Sequence, residues 1–284
     1  MRAFHTFWSR PFSMAHPGQP LSLTDYDLFG TILSALQWRR RNGSIRLVTD
    51  RMGERYFCAY GLDFLWDDGM EVILDHIPYS VDPSTFWAAG KLYALRAMHA
   101  PCVMLDTDFI LWEDLSAPLS SSDLAVIHRE ELNPDIYPDP RHFLCAEGYH
   151  FPDGWDFTQP ACNTAFCYFG SETLRQEYVQ QSLDFVEASR GRHPLYYMVF
   201  AEQRLLAMCA VQNGYTIDSL AALPALFSGQ TYFTHLWGYK QLLQKDPEER
   251  RRFCLRCARR ITADFPDAVA RCAIHPLLRP YFIS

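Results

Sequence analysis

Apolar residues follow two alternating patterns along the first 110 residues of the chain. Short apolar runs bounded by turn residues are typical of strands, and longer segments with apolar positions three and four residues apart are typical of helices. Within 26–41, for example, Leu28, Ile32 and Leu36 have helical spacing, and three arginines occupy the last turn. These patterns predict strands at 2–8, 44–49, 70–75 and 101–111, and helices at 26–41 and 86–100.

The order of these elements predicts the fold class. Strands alternating with helices, and too apolar to face water, are typical of an α/β protein whose parallel sheet is covered on both faces. Ligands of such sheets bind at the carboxyl ends of the strands. Asn133-Pro134-Asp135 and Pro138-Asp139-Pro140 mark a loop-rich insertion between the two halves of the chain. Beyond residue 111 the patterns predict strands at 124–128, 162–169 and 215–217, and helices at 172–187 and 200–212.

Composition and charge exclude some classes of function. The 26 basic and 33 acidic side chains give a net charge of −7, which provides no basic footprint for nucleic acid. No apolar run approaches the roughly 20 residues of a transmembrane helix, and no stretch of signal-peptide length precedes Arg10 and Pro11. The nine cysteines are an odd number and mostly lie in apolar segments, which favours reduced thiols. We therefore expect a cytoplasmic protein that does not bind nucleic acid.

The clearest candidate for chemistry is the pair Asp106 and Asp108, which follows the apolar run Val103-Met104-Leu105. Alternate strand residues point to the same face, so both carboxylates can converge on one cation as the strand ends. A divalent ion held in this way can bridge the oxygens of a diphosphate. The alternative is that the two aspartates only cap a turn.

Further polar groups follow in a recognisable order along the chain. They are Lys91 in the helix Trp87-Ala88-Ala89-Gly90-Lys91, then Asp106-Thr107-Asp108, Asn163-Thr164-Ala165, Glu202-Gln203 and His235-Leu236-Trp237-Gly238-Tyr239-Lys240. From about residue 2 to 240, this series resembles nucleotide-sugar glycosyltransferases of the GT-A fold, most closely the glycogenin and bacterial lipopolysaccharide galactosyltransferase group. It also resembles a bacterial family known only as a domain of unknown function, which shares the start Phe7-Trp8-Ser9 and the Lys91 helix.

The resemblance implies a mixed, mostly parallel GT-A sheet in a catalytic domain at 1–240, followed by a helical extension at 241–284. It implies transfer of a hexose from a nucleoside diphosphate sugar, such as a UDP-sugar, to a saccharide or lipid-linked hydroxyl, as in bacterial surface polysaccharide synthesis. The implied Mn²⁺ or Mg²⁺ ligands are Asp106, Asp108 and His235. The implied donor contacts are Lys91, Asp106, Asn163 and Lys240, and the catalytic candidates are Glu202, Gln203 and Lys240. Gly238 is a further donor candidate by its residue type, because a glycine lets the backbone approach an anion closely.

Three residues near the ends of the first two predicted strands are additional candidates for the donor. Thr6 and Trp8 follow the first strand, where a base can stack or form hydrogen bonds, although aromatic residues there are often core. Asp50 ends the second strand. Each remaining candidate also has a structural interpretation: Lys91 as an exposed helical cation, Asn163 as a turn residue, Glu202 as a first-turn carboxylate and His235 as a loop residue packed on Trp237.

The series departs from the family pattern at three positions. Ala165 replaces a glycine, Glu202 replaces an aspartate, and Lys240 follows His235 by five residues rather than six. The sugar and the stereochemical course therefore stay open, with retention favoured by the resemblance alone. Two alternatives are a catalytically silent protein of this fold that binds a nucleotide sugar or glycan, and a metal-dependent nucleotidyltransferase or diphosphatase.

The C-terminal segment contains two further features. Cys254, Cys257, Cys272 and His275 have the types and nearly the spacing of zinc ligands. However, Phe253, Cys254, Cys257, Ala258 and Ile261 share one face of a helix that Asp246-Pro247 would begin, which favours core cysteines. Residues 239–260 carry eight basic and three acidic groups. This excess would suit an anionic membrane surface or a lipid-diphosphate acceptor, and the alternative is a solvated helix face.

Overall fold

The computed structural model describes residues 1–221 and 228–283. Its strands are β1 (Ala3–Phe7), β2 (Ile45–Thr49), β3 (Met70–Val72), β4 (Cys102–Leu105), β5 (Phe109–Leu111), β6 (Leu124–Val126), β7 (Arg129–Glu130), β8 (Ala161–Cys162), β9 (Phe166–Phe169), β10 (Asp218–Ser219) and β11 (Phe233–His235). Its helices are α1 (Arg10–Ala15), α2 (Asp25–Arg41), α3 (Arg51–Ala59), α4 (Ala89–Ala97), α5 (Ser116–Leu119), α6 (Glu172–Ala188), α7 (Pro194–Val199), α8 (Leu205–Gln212), α9 (Tyr239–Lys245), α10 (Pro247–Asp264), α11 (Pro266–Cys272) and α12 (Arg279–Phe282).

Seven strands form the central sheet, in the order β10-β6-β9-β4-β1-β2-β3. The pairs β1–β2, β1–β4, β2–β3 and β6–β10 are parallel, whereas β9 is antiparallel to both β4 and β6. The sheet is therefore mixed and mostly parallel, which confirms the predicted fold class. The simpler expectation of a wholly parallel sheet is wrong at β9.

Helices cover both faces of the sheet and bury its strands on both sides. Leu28, Phe29 and Ile32 of α2 belong to one apolar cluster, and α4, α6 and α8 contribute to a second. Helix α2 begins where Thr24 accepts a hydrogen bond from the amide of Asp27, and two aspartates in its first turn favour the helix dipole. These helices hold the carboxyl ends of β1 and β4 in fixed positions.

Several predicted elements differ from the structure. The predicted strand at 162–169 is two strands, because β8 pairs with β7 whereas β9 joins the central sheet. The predicted strand at 101–111 is two strands, because the chain turns at Asp106–Asp108 and β5 leaves the sheet to pair with β11. The strand expected at 215–217 lies instead at Asp218–Ser219. The helix expected at 200–212 continues from α7 through a π-helical turn, Phe200–Arg204, into α8. Glu202 is therefore not in the first turn of a helix.

The C-terminal helices pack on α2. Asp246 caps α10 by accepting hydrogen bonds from the amides of Glu248 and Glu249, and the predicted apolar face of α10 is buried, namely Phe253, Cys254, Cys257, Ala258 and Ile261. His275 Nε2 lies 3.1 Å from the hydroxyl of Tyr56. Cys272 is buried, and all nine cysteines are free thiols. These contacts support core packing rather than zinc binding for this group.

No helix within the described ranges is both long enough and apolar enough to cross a bilayer.

Candidate active site

The turn between β4 and β5 carries Asp106 and Asp108. The amide of Asp106 donates to the carbonyl of Ala165 at 2.8 Å, which ties the turn to the segment before β9. Strand β11 runs antiparallel to β5, with His235 opposite Phe109. This register brings His235, more than 120 residues away in the sequence, next to Asp108.

Asp106, Asp108 and His235 form a cluster that can hold a metal ion. One ligand atom from each lies within 4.8 Å of the other two, and within the described parts of the chain this is the one such group of three. Burial lowers the pKa of His235 to about 4, so its imidazole is neutral at pH 7 and available as a ligand. Two carboxylates and one imidazole fit Mn²⁺ or Mg²⁺, and the nitrogen donor favours Mn²⁺.

Two lysines form ion pairs with the carboxylates of this cluster. Lys91 Nζ lies 2.5 Å from Asp106 Oδ1 and 2.6 Å from Glu202 Oε1. Lys240 Nζ lies 2.9 Å from Asp108 Oδ2 and 3.1 Å from Asp27 Oδ1. Burial opposes the charge of both lysines, but the neighbouring carboxylates outweigh it and raise both pKa values. Both side chains therefore carry a positive charge at neutral pH.

The two aspartates differ in how well they are compensated. Burial raises the pKa of Asp106, and repulsion from the charges of Asp108 and Glu202 raises it further. Lys91 lowers this pKa but does not outweigh the other effects, because Lys91 is shared with Glu202. Burial also disfavours the charge of Asp108, but Lys240 and His235 outweigh it and the pKa of Asp108 is lowered. The pKa of Lys91 is raised because two carboxylates stabilise its charge. The pKa of Asp106 is raised as well, because one ammonium cannot fully neutralise two carboxylates. The cluster therefore has an excess of negative charge that a divalent cation would offset.

Glu202 and Gln203 lie in the π-helical turn, a local geometry often found at functional sites. Glu202 is 3% exposed, and its Oε1 accepts hydrogen bonds from Lys91 and, at 2.7 Å, from the hydroxyl of Thr164. The hydroxyl of Tyr178 donates to the carbonyl of Glu202. Lys91 and Thr164 thus fix the carboxylate beside the metal cluster, and Tyr178 holds the backbone of the same residue.

A cavity of about 480 Å³ opens over this cluster. This volume is within the range of small-molecule sites. All of the predicted site residues line it except Asp50 and Gly238, namely Thr6, Trp8, Lys91, Asp106, Asp108, Asn163, Glu202, Gln203, His235 and Lys240. Trp87 and Trp237 also line it and are 49% and 66% exposed. Exposed indoles in a polar cavity can stack on a sugar or a base.

A hydrogen-bonded network that the sequence did not reveal supports the wall of this cavity. The Glu130 carboxylate accepts from the side-chain Nδ2 of Asn163 at 2.8 Å and from the hydroxyl of Tyr137 at 2.8 Å, and His128 Nε2 lies 3.2 Å from Glu130 Oε1. The hydroxyl of Tyr137 also lies 2.6 Å from Gln203 Oε1. Burial disfavours the charge of Glu130, but these hydrogen bonds outweigh it and lower its pKa. No motif marks Glu130 or Tyr137, because both lie in the loop-rich segment.

Replacing Tyr137 with phenylalanine tests this network. We expect the free energy of unfolding to fall by about 1 kcal/mol, because the partly buried side chains of Glu130 and Gln203 both lose a hydrogen-bonding partner. Urea denaturation measures the change. Tyr79, which is 93% exposed, provides the control, and an equal effect of Tyr79→Phe and Tyr137→Phe would show that the network does not stabilise the fold.

Two predicted donor contacts lie outside the cavity. Asp50 caps α3 by accepting from the amide of Gly53, and its other oxygen accepts from the amide and hydroxyl of Ser9. Its role in the structure is therefore to fix the chain after β1. Gly238 precedes α9 with φ of −64°, a conformation open to any residue. The sequence did not predict the position of Asp50, because a helix cap and a ligand contact use the same residue types.

We expect alanine to destabilise the protein at Gly90 but not at Gly238. A Cβ on Gly90 would lie 2.9 Å from Cβ of Trp8 and 3.2 Å from Cγ2 of Thr6, whereas a Cβ on Gly238 would meet no heavy atom within 4 Å. We expect Gly90→Ala to destabilise the protein by about 1–3 kcal/mol, because α4 must move from β1. Gly238→Ala should change the free energy of unfolding by less than about 0.5 kcal/mol. Thermal unfolding of the two variants measures both effects, and an unaltered Gly90→Ala variant would contradict the packing described.

A model of a family of unknown function, DUF6734, matches residues 1–272. The chain belongs to DUF6734. A comparison with curated proteins finds no match.

Several solved structures resemble this DUF6734 member in overall fold. Mouse xyloside xylosyltransferase 1 is 13% identical, with 77% of this chain and 84% of that chain covered and a TM-score of 0.38. A nucleoside-diphosphate-sugar pyrophosphorylase from Vibrio cholerae is 13% identical, with 83% and 95% covered and a TM-score of 0.44. The galactosyltransferase LgtC, in complex with donor and acceptor sugar analogs, is 12% identical, with 76% and 73% covered and a TM-score of 0.37. These low values do not bear on the activity of this chain.

Proposed function

We propose that this protein is a metal-dependent glycosyltransferase that moves a hexose from a nucleoside diphosphate sugar, such as a UDP-sugar, to a hydroxyl acceptor. The observation that carries the proposal is the cluster of Asp106, Asp108 and His235 beneath a cavity of nucleotide-sugar size, with Lys91 and Lys240 beside it. A metal site of this composition, two flanking cations and a small-molecule cavity together suit a diphosphate with an attached sugar.

The reaction breaks the bond between the anomeric carbon of the sugar and the diphosphate oxygen. Negative charge develops on the departing diphosphate, so its stabilisation is the largest catalytic contribution that the site can make. Bound at Asp106, Asp108 and His235, Mn²⁺ or Mg²⁺ would supply Lewis-acid stabilisation of the phosphate oxygens. In this proposal the chain holds the diphosphate between that cluster and the ammonium groups of Lys91 and Lys240.

The two lysines can exchange partners when the donor binds. Each ammonium now contacts two carboxylates, and an ammonium has three donors on a flexible stem. Once a cation compensates Asp106 and Asp108, part of this hydrogen bonding can pass to phosphate oxygens. Lys240 is the more exposed of the two, at 30% against 14% for Lys91, so we assign the diphosphate to Lys240 and the sugar side to Lys91.

Glu202 and Gln203 would orient the transferred sugar and the acceptor. Glu202 is fixed by Lys91 and Thr164, which suits a positioning or charge-shielding carboxylate in a retaining reaction. Trp87 and Trp237 offer stacking surfaces for the acceptor saccharide. The nine free thiols favour a reducing compartment, so we place the reaction in the cytoplasm.

A thermal-shift panel tests the donor site. We expect UDP with Mn²⁺ to raise the melting temperature more than the sum of the two ligands added singly, because each completes the site of the other. GDP, ADP and CDP in the same panel identify the nucleotide. If no nucleoside diphosphate raises the melting temperature in the presence of Mn²⁺, the proposal is wrong.

A binding response without turnover would have a different meaning. If UDP and Mn²⁺ stabilise the protein but no nucleotide sugar is hydrolysed or transferred during long incubation, the protein is a silent binder of the donor. If instead nucleoside triphosphates or free diphosphates are cleaved, it is a nucleotidyltransferase or diphosphatase. The three outcomes are separated by chromatography of the nucleotide products.

A further inference from the structure

A second cavity, of about 510 Å³, lies between the β5–β11 ladder and helix α10. Its volume also matches that of small-molecule sites. His235 lines both this cavity and the candidate active site, so the two are separated by the thickness of strand β11. We call it the α10 cavity.

The interior of the α10 cavity is apolar. Leu33 of α2, Ile110 of β5, Leu236 after β11, and Phe253 and Cys257 of α10 line it. Each of these residues is less than 7% exposed, so they form the buried floor of a cavity that is open to solvent. A hydrocarbon chain is the chemistry that such a floor would take out of water.

Arginines provide charge at the edge of the same cavity. Arg256 and Arg260, one helical turn apart on α10, both line it, with side chains 57% and 49% exposed. Arg256 Nη2 lies 3.3 Å from Glu249 Oε1, and Arg260 Nε lies 2.5 Å from Asp264 Oδ2. A guanidinium has five N–H donors. Each arginine has one carboxylate partner among the residues described, so donors remain for an anion.

The charge of α10 also favours an anion. This helix contains six arginines, at 250–252, 256, 259 and 260, and three acidic residues, Glu248, Glu249 and Asp264. Its net charge is therefore +3, whereas that of the whole chain is −7. The positions 256, 259 and 260 are spaced i, i+3 and i+4, which puts their side chains on one side of the helix. Arg260 is further held over the ring of Trp112, at 5.2 Å from its centroid.

We propose that the α10 cavity binds an amphipathic anion consisting of an aliphatic chain and a phosphate monoester. The chain occupies the floor formed by Leu33, Ile110 and Phe253, and the phosphate meets Arg256 and Arg260. A phosphate monoester suits two guanidinium groups better than a carboxylate does, because it carries nearly two charges and three acceptor oxygens. The proposal does not depend on the glycosyltransferase reaction, since it concerns different side chains and a different ligand.

Calorimetric titration with decyl phosphate below its micellar concentration tests the proposal. We expect saturable binding of one molecule per chain. The affinity should fall roughly fourfold for each methylene removed between decyl and octyl phosphate, which corresponds to about 0.8 kcal/mol per buried CH₂. Decanoate should bind more weakly than decyl phosphate, and decanol more weakly still. Absence of saturable binding, or equal affinity for decanol and decyl phosphate, would overturn the proposal.

Variants separate this site from general charge effects. The double variant Arg256→Gln/Arg260→Gln should lose at least tenfold in affinity for decyl phosphate and keep its response to UDP and Mn²⁺. The control Arg55→Gln/Arg251→Gln removes the same charge from exposed positions that do not line the cavity and should bind decyl phosphate as the unmodified protein does. If both double variants lose affinity equally, the proposal is wrong. The single variants Arg256→Gln and Arg260→Gln, each expected to lose part of the affinity, replace the double variant if it does not fold.

Discussion

Replacing Asp108 with alanine will abolish the metal-dependent part of UDP binding. Asp108 contributes a ligand atom to the metal cluster and also pairs with Lys240. Losing a ligand carboxylate should lower the affinity for Mn²⁺ at least about 100-fold, because even the outer-shell partners of metal ligands contribute 10- to 100-fold. Melting curves with UDP, with and without Mn²⁺, measure the effect.

A matched control keeps this result specific. Asp184 is an exposed aspartate on α6, so Asp184→Ala removes a carboxylate without touching the site. It should show the same response to UDP and Mn²⁺ as the unmodified protein. An Asp108→Ala variant that still gained the full Mn²⁺-dependent stabilisation would contradict the assigned role of Asp108.

The second large effect is expected at Lys91. In Lys91→Met, Asp106 and Glu202 lose their shared cation, and breaking a buried ion pair costs about 3 kcal/mol, since the side chain of Lys91 is only 14% exposed. The melting temperature should fall by roughly 5–10 °C. Mn²⁺ should then raise the melting temperature more in the variant than in the unmodified protein, because the ion no longer competes with Lys91 for Asp106.

This second response distinguishes a metal site from ordinary packing. Lys245 is exposed, so Lys245→Met removes one charge at no cost to the site and should change neither the melting temperature nor the Mn²⁺ response. Equal stabilisation by Mn²⁺ in Lys91→Met and in the unmodified protein would show that Lys91 and the metal do not share Asp106. Differential scanning fluorimetry across a Mn²⁺ titration gives both quantities.

Local sequence patterns predicted much of the fold because most elements of the central sheet are formed by short segments with clear periodicity. The exceptions depend on contacts between distant residues. The apolar run at 101–111 contains two strands with different partners, and only the pairing of β5 with β11 distinguishes them. Similarly, β9 is antiparallel because of its place between β4 and β6, which no local pattern records.

The candidate site was predictable where its residues follow strand ends. Asp106 and Asp108 lie in the turn directly after β4, and His235 is the last residue of β11, so their convergence follows from the sheet and from motif order. The supporting residues were not predictable. Glu130 and Tyr137 reach Asn163 and Gln203 across separations of 33 and 66 residues, and their segment has no periodicity. Asp50 caps α3 in the structure, and its type and place at a strand end suit a helix cap and a ligand contact equally well in sequence.

Metal-dependent glycosyl transfer is measured by incubating the purified protein with UDP-glucose, UDP-galactose and other UDP-hexoses and assaying the UDP released. We expect slow release from at least one donor in the presence of Mn²⁺, loss of that release on addition of EDTA, and no release by Asp108→Ala. Release that is unaffected by EDTA, or no UDP from any donor during long incubation, would contradict metal-dependent glycosyl transfer by this site.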